Sequence, residues 1–92
     1  MKITYTTWMI EDCAGEWHKV RIPDAFYSHR VIEAWPHAEL FMYARSGFNV
    51  STSGGLVYGP RWLYWSRSGG EFIALPRHVD DPSKCPRSAY AA

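Results

Sequence analysis

From Lys2 to Ile10 the chain alternates, with Ile3, Tyr5, Thr7 and Met9 on one side and Thr4, Thr6, Trp8 and Ile10 on the other. Period two with β-branched and aromatic residues predicts a strand. Glu11-Asp12-Cys13-Ala14-Gly15 carries turn chemistry, and Glu16 to Ile22 alternates again, setting His18, Val20 and Ile22 against Trp17, Lys19 and Arg21. Two such runs around a Gly-bearing loop predict a β-hairpin. Pro23-Asp24 ends the second run, and Asp24 suits the N-cap of a helix reaching Ala34, with Tyr27, Val31, Ala34 and Trp35 on one stripe. The same segment tolerates a strand, because Phe26, Tyr27, Val31 and Ile32 fit either state. Trp35 precedes Pro36, which should end that helix. Pro36 then suits the first position of a second helix through Arg45, rich in helix formers (Ala38, Glu39, Leu40, Met42, Ala44) and closed by Gly47.

The C-terminal half holds a weak repeat: residues 51–58 and 66–73 share Ser-x-Ser-Gly-Gly-x followed by two apolar residues. A short strand with a Ser/Gly turn, used twice, predicts an antiparallel meander. Its strands are expected at Phe48–Thr52, at Leu56–Tyr58 running on to Trp62–Arg67, and at Glu71–Leu75. Gly59-Pro60 interrupts the middle strand, which should be bulged there or lie partly at an edge. The expected fold is therefore α+β: an N-terminal β-hairpin, one or two helices, then a three-stranded antiparallel meander, with the helices on one face of the sheet. Residues 1–76 form the single domain, and 77–92, which lack any sustained period, read as an irregular C-terminal tail. The core candidates are Ile3, Tyr5, Val20, Ile22, Val31, Trp35, Leu40, Phe41, Val50, Leu63, Phe72 and Ala74.

Length and charge narrow the function classes. A chain of 92 residues makes one domain. Ten Lys/Arg against nine Asp/Glu is not the basic excess of a duplex-DNA binder. No run of apolar residues is long enough to span a membrane, and the start lacks the apolar block of a secretory signal, so a cytoplasmic protein is expected. Cys13 and Cys85 are the two cysteines. They are read as reduced thiols; paired, they would close a large loop worth roughly 4 kcal/mol in the chain-entropy model.

The candidate chemistry is sparse. The Ser/Gly-Gly segments lack a Walker pattern and read as turns, and no Gly-x-Ser-x-Gly elbow surrounds a serine. Cys13 with His18 and His78 with Cys85 lack the short knuckle of a zinc site, so neither metal nor cofactor is expected. His18 or His37 beside Arg45, Arg61 or Arg67 would suit RNA cleavage, with a histidine as base and arginines balancing phosphate charge. That is the enzymatic alternative, a small ribonuclease toxin.

Aromatics supply the sharpest feature. The chain has five tryptophans, six tyrosines and four phenylalanines, densest around Tyr58 and the strand Arg61-Trp62-Leu63-Tyr64-Trp65-Ser66-Arg67. Both faces of that strand carry rings, and a domain this small is not expected to hide them all. Exposed Trp and Arg are the residues most enriched in binding hot spots. Arg61, Trp62, Tyr64, Trp65 and Arg67, with the acidic loop residues Glu11, Asp12 and Glu16, are therefore the expected partner-binding residues. A motif-free domain of this profile suits a phage or mobile-element accessory protein, such as an inhibitor of host defence of the anti-CRISPR kind, which acts by covering a surface. The expected partner is a host protein or nucleoprotein complex rather than bare nucleic acid or a membrane, and a homodimer is compatible with the same rings.

Overall fold

The computed structural model describes residues 3–24, 28–45, 48–49, 56–57 and 59–90. Chain order is β1 (Tyr5–Glu11), β2 (Trp17–Pro23), α1 (Ser28–Ala34), β3 (Glu39–Ala44), β4 (Phe48–Asn49), β5 (Leu56–Val57), β6 (Arg61–Ser66), β7 (Glu71–Ala74) and a closing 3₁₀ turn, Arg87–Tyr90. Five strands make one antiparallel sheet in the order β2-β1-β3-β6-β7, and β4 pairs with β5 in a second, two-stranded sheet. The architecture is α+β.

The N-terminal hairpin follows the alternation. β1 and β2 pair from Tyr5↔Pro23 to Glu11↔Trp17, and Gly15 turns the loop at a φ of 84° that a side chain would resist. Asp24, expected as an N-cap, extends this pairing: its backbone N–H donates to Thr4 O, and its carboxylate accepts from the Thr4 and Thr6 hydroxyls. The described helix runs from Ser28 and ends at Ala34, just before the Trp35-Pro36 step, and residues 25–27 of the expected helix lie outside the described residues.

The second expected helix, Pro36 to Arg45, is a strand. β3 lies between β1 and β6, pairing Met9↔Phe41 on one side and Phe41↔Tyr64 on the other. Leu40, Phe41, Met42 and Ala44 are all buried, so both faces of β3 are covered. A helix would bury one stripe of this apolar run and expose the rest, so tertiary burial overrides local helix propensity. The expected middle strand of the meander is divided as well. β5 and β6 belong to different sheets and are separated by the cis Gly59-Pro60 bond. A Cβ on Gly59 would fall 2.3 Å from Ala44 O, a closeness only glycine permits. β6 is not an edge strand; it lies between β3 and β7. The meander is thus β3-β6-β7, while the expected strand beyond Asn49, Val50 and the first Ser/Gly repeat lie outside the described residues. The second repeat does turn the chain, with Gly70 at φ 64°.

The sheet has a core on each face. On the first, Trp8, Ile10, Leu40, Met42, Ala44 and Leu63 meet Val31, Ile32 and Trp35 from α1 and the residue after it. On the second, Met9, Phe41 and Trp62 meet Leu75, Val79, Cys85 and Tyr90 from the C-terminal stretch. That stretch has no strand or α-helix, yet Val79 is 3% exposed and Pro82 is fully buried. It is held by Leu75 N–H to Trp62 O (2.9 Å), by the Trp62 indole N–H to Asp80 O (2.8 Å), and by Tyr90 Oη donating to Pro82 O. Each fully buried Leu, Ile or Val adds about 1.5–3 kcal/mol, so the irregular segment is a structural layer.

Of the core candidates, Val31, Leu40, Phe41 and Leu63 are buried, while Ile3 is not: it is 64% exposed, ahead of the first strand. Tyr5 is half-buried under the Arg21 guanidinium, 4.9 Å from the ring centroid. Trp62→Phe should keep the packing but leave the Asp80 carbonyl without its donor. The expected loss is about 1–2 kcal/mol, read as a lower urea midpoint at unchanged slope. Among the described residues, no helix is long and apolar enough to cross a membrane.

Candidate functional site

Strand alternation divides the expected aromatic-arginine surface. Trp62 and Tyr64 face the second core, and Trp65 faces the first, where its ring meets Phe72 at 5.0 Å. Trp62 is 7% exposed, whereas Tyr64 and Trp65 are half-buried. Tyr64 Oη donates to Glu39 Oε2 at 2.5 Å. The arginines go to opposite ends of the sheet. Arg61, opposite Ala44, donates from Nε to Leu75 O at 2.7 Å. Arg67, just beyond β6, donates to Trp35 O (2.5 Å) and to Ala38 O (2.7 Å from Nη2, 3.2 Å from Nε). No single face therefore presents all five residues.

The hairpin end of the sheet brings other members of the set together. There Asp12, Cys13, Trp35, Pro36, His37 and Ala38 line an almost wholly apolar groove of about 230 Å³. One wall is the loop from α1 to β3, whose carbonyls have no helical partners; the forked Arg67 guanidinium satisfies two of them and fixes the wall. The other wall is the acidic hairpin loop. Asp12 Oδ1 accepts from the backbone N–H groups of Ala14 and Glu16 at 3.0 and 2.9 Å, and Asp12 Oδ2 meets His18 Nε2 at 2.8 Å. His18 in turn lies against Trp35, ring centroids 5.5 Å apart, which joins the two walls. Glu16 is exposed at the rim. Glu11 points the other way, on the strand face it shares with Met9, opposite Trp17 and Glu39.

Electrostatics favour the ionised form of Asp12. The hydrogen bond from His18, followed by that from the Glu16 N–H, holds the Asp12 carboxyl below its ordinary value of 3.8, outweighing the opposing effect of burial. Asp24 is lowered chiefly by the Thr4 and Thr6 hydroxyls, and Asp81 chiefly by Ser83. A carboxylate whose folded pKa lies below its unfolded one adds stability that is complete above the unfolded value and disappears as pH falls through the folded value. Unfolding temperature should therefore fall as the pH drops below the ordinary carboxylate value of 3.8. Asp12→Asn, which keeps an acceptor for the turn, should flatten part of that drop in a thermal-melt series from about pH 5 to about pH 2.

Sequence reasoning placed Trp35 among the core candidates, where it packs in part, and weighed His18 as a base beside an arginine; it did not foresee that the two rings meet. The signal for it was present in the shared face of His18, Val20 and Ile22, which points toward the helix. Asp12, Glu16 and His18 also set potential ligand atoms within 4.8 Å of one another. These three could hold a cation only in competition with the proton shared between His18 and Asp12. Cys13 and Cys85 are free thiols, the first exposed beside the groove and the second packed in the second core. Comparison with known family models, curated proteins and solved structures finds no match for this chain.

Proposed function

We propose that this protein is a small binding protein, without catalysis of its own, that docks on a larger macromolecular complex by the hairpin end of its sheet. The observation that carries the reading is the groove, apolar along its length, rimmed by the acidic loop of Asp12 and Glu16 and braced by Arg67. Its occupant is a lysine- or arginine-bearing segment of a protein: the aliphatic stem lies against Trp35 and Pro36 while the cationic head meets Asp12 and Glu16. The same loop repels nucleic-acid phosphates, which favours a protein surface, including the protein part of a nucleoprotein complex. Covering such a basic surface is a means of steric inhibition, consistent with a phage or mobile-element accessory protein that blocks a host defence complex.

The test is capture from host lysate, identification of what is retained, and titration against the purified partner. Glu16→Lys reverses an exposed rim charge and should weaken binding at least tenfold, about 1.4 kcal/mol, mainly by slowing association. Arg67→Gln should weaken it comparably by releasing the groove wall, with a modestly lower melting temperature but the cooperative transition retained. Lys19→Gln, on the opposite strand face, should leave it unchanged.

The ribonuclease alternative has one observation in its favour, the Asp12–His18 pair at 2.8 Å, which would orient a histidine base. Against it, Arg45 and Arg61 lie at the end of the sheet away from His18, beside Tyr5 and Ala44, and Arg67 donates to two loop carbonyls. Cleavage of a fluorescent RNA that His18→Ala abolishes would favour the enzyme; docking predicts no cleavage by either protein.

A further inference from the structure

The hairpin groove combines a carboxylate with a lining that offers almost nothing to hydrogen-bond. Building on the docking reading above, we infer that it takes the trimethylated ammonium of a methylated lysine on the protein partner.

Asp12 lines the groove, yet its oxygens are largely engaged. A carboxylate offers about four acceptor sites. Three of them receive the Ala14 N–H, the Glu16 N–H and His18 Nε2. The carbonyls of Trp35 and Ala38 in the facing wall accept from Arg67. Cys13, Ala34, Trp35, Pro36 and His37 complete a lining that is almost wholly apolar. An unmodified lysine ammonium brings three donors and a guanidinium five. Either would enter with donors unpaired, which is costly away from water. It stays at the wet rim, near exposed Glu16 and the open site of Asp12.

Trimethylation removes every donor and keeps the charge. Such a head needs only a favourable field and apolar contact. Asp12 supplies the field whether or not its lone pairs are occupied. Trp35, half-buried and so still partly open, supplies indole surface, the aromatic that attracts cations best. With the histidines neutral, the Asp12 and Glu16 carboxylates outnumber the bordering Arg67 guanidinium, so this end of the sheet favours a cation. A groove of about 230 Å³ suits the end of a side chain; pockets for whole small molecules run to roughly 300–1,000 Å³. The choline headgroup of a phospholipid carries the same ammonium, but its phosphate would meet Asp12 and Glu16. A lysine side chain brings no anion, which sets a protein as the source.

The experiment is an NMR titration of the intact chain at about pH 8, above the ordinary histidine range, followed at the Trp35 indole N–H. The probes are N-acetyl-trimethyllysine methylamide, its unmethylated lysine counterpart, and the neutral analogue with carbon in place of the charged nitrogen. The expected result is a saturable shift with trimethyllysine, tighter than lysine by roughly tenfold or more and tighter than the neutral analogue by roughly fivefold or more. Asp12→Asn, which keeps an acceptor for the turn, should lose the preference over the neutral analogue. Equal binding of unmodified lysine would overturn the inference and leave the docking reading standing, since that reading is tested separately with the partner and Glu16→Lys. Equal binding of the neutral analogue, or no shift with any probe, would overturn it as well. Sedimentation of the protein with phosphatidylcholine vesicles would assign the ammonium to a lipid and equally refute it.

Discussion

Phe41→Ala should cost about 3–5 kcal/mol, enough to leave much of the protein unfolded at physiological temperature. Phe41 is completely buried in the central strand. Its ring touches Trp17 at 5.4 Å, Tyr64 at 5.3 Å and Tyr90 edge-on at 5.5 Å. These partners come from β2, β6 and the closing 3₁₀ turn, so the truncation opens a cavity that no one element can close by moving. Phe41→Leu retains most of the volume and should cost about 1–1.5 kcal/mol. Urea unfolding of the two variants reads the difference directly; an alanine variant within about 1 kcal/mol of wild type would mean that the second core is not packed as described.

A chain ending at Pro76 should not fold cooperatively. It would lose Val79, Pro82, Cys85 and Tyr90, and with them the cover over Met9, Phe41 and Trp62. It would also leave the Trp62 indole N–H without its Asp80 acceptor. An uncovered aromatic sheet face binds hydrophobic dye and self-associates. The expected result is loss of the near-ultraviolet circular dichroism of the tryptophans, strong dye fluorescence and no sharp thermal transition. A truncated chain with the parent's melting curve would show the C-terminal layer to be dispensable.

How much of this was legible in the sequence varies from element to element, for physical reasons. The hairpin was plain because β1 and β2 alternate around a Gly turn, and the end of α1 was plain at Trp35-Pro36. β3 was misread because covering both faces of a central strand erases alternation, leaving the run Leu40-Phe41-Met42 that looks equally helical. The C-terminal layer showed no period because it packs through isolated anchors such as Leu75, Val79 and Tyr90 rather than through a repeating face. The division of the aromatic strand was implicit in its parity, which sets Trp62 and Tyr64 against Leu63 and Trp65. What parity could not reveal is where Arg61 and Arg67 find their carbonyls, since Leu75, Trp35 and Ala38 are brought to them only by the fold. The acidic loop was among the candidates, but its neighbour across the groove, Trp35, follows α1, far along the chain from Asp12.

Affinity of the purified partner for wild-type and Glu16→Lys protein, titrated at low and at physiological salt, tests the docking reading most directly. A basic segment seated in the hairpin groove predicts at least a tenfold loss in Glu16→Lys at low salt, and a gap that narrows as salt screens the rim. Equal affinities at both salt concentrations, with binding equally indifferent to Arg67→Gln, would place the partner elsewhere on the molecule.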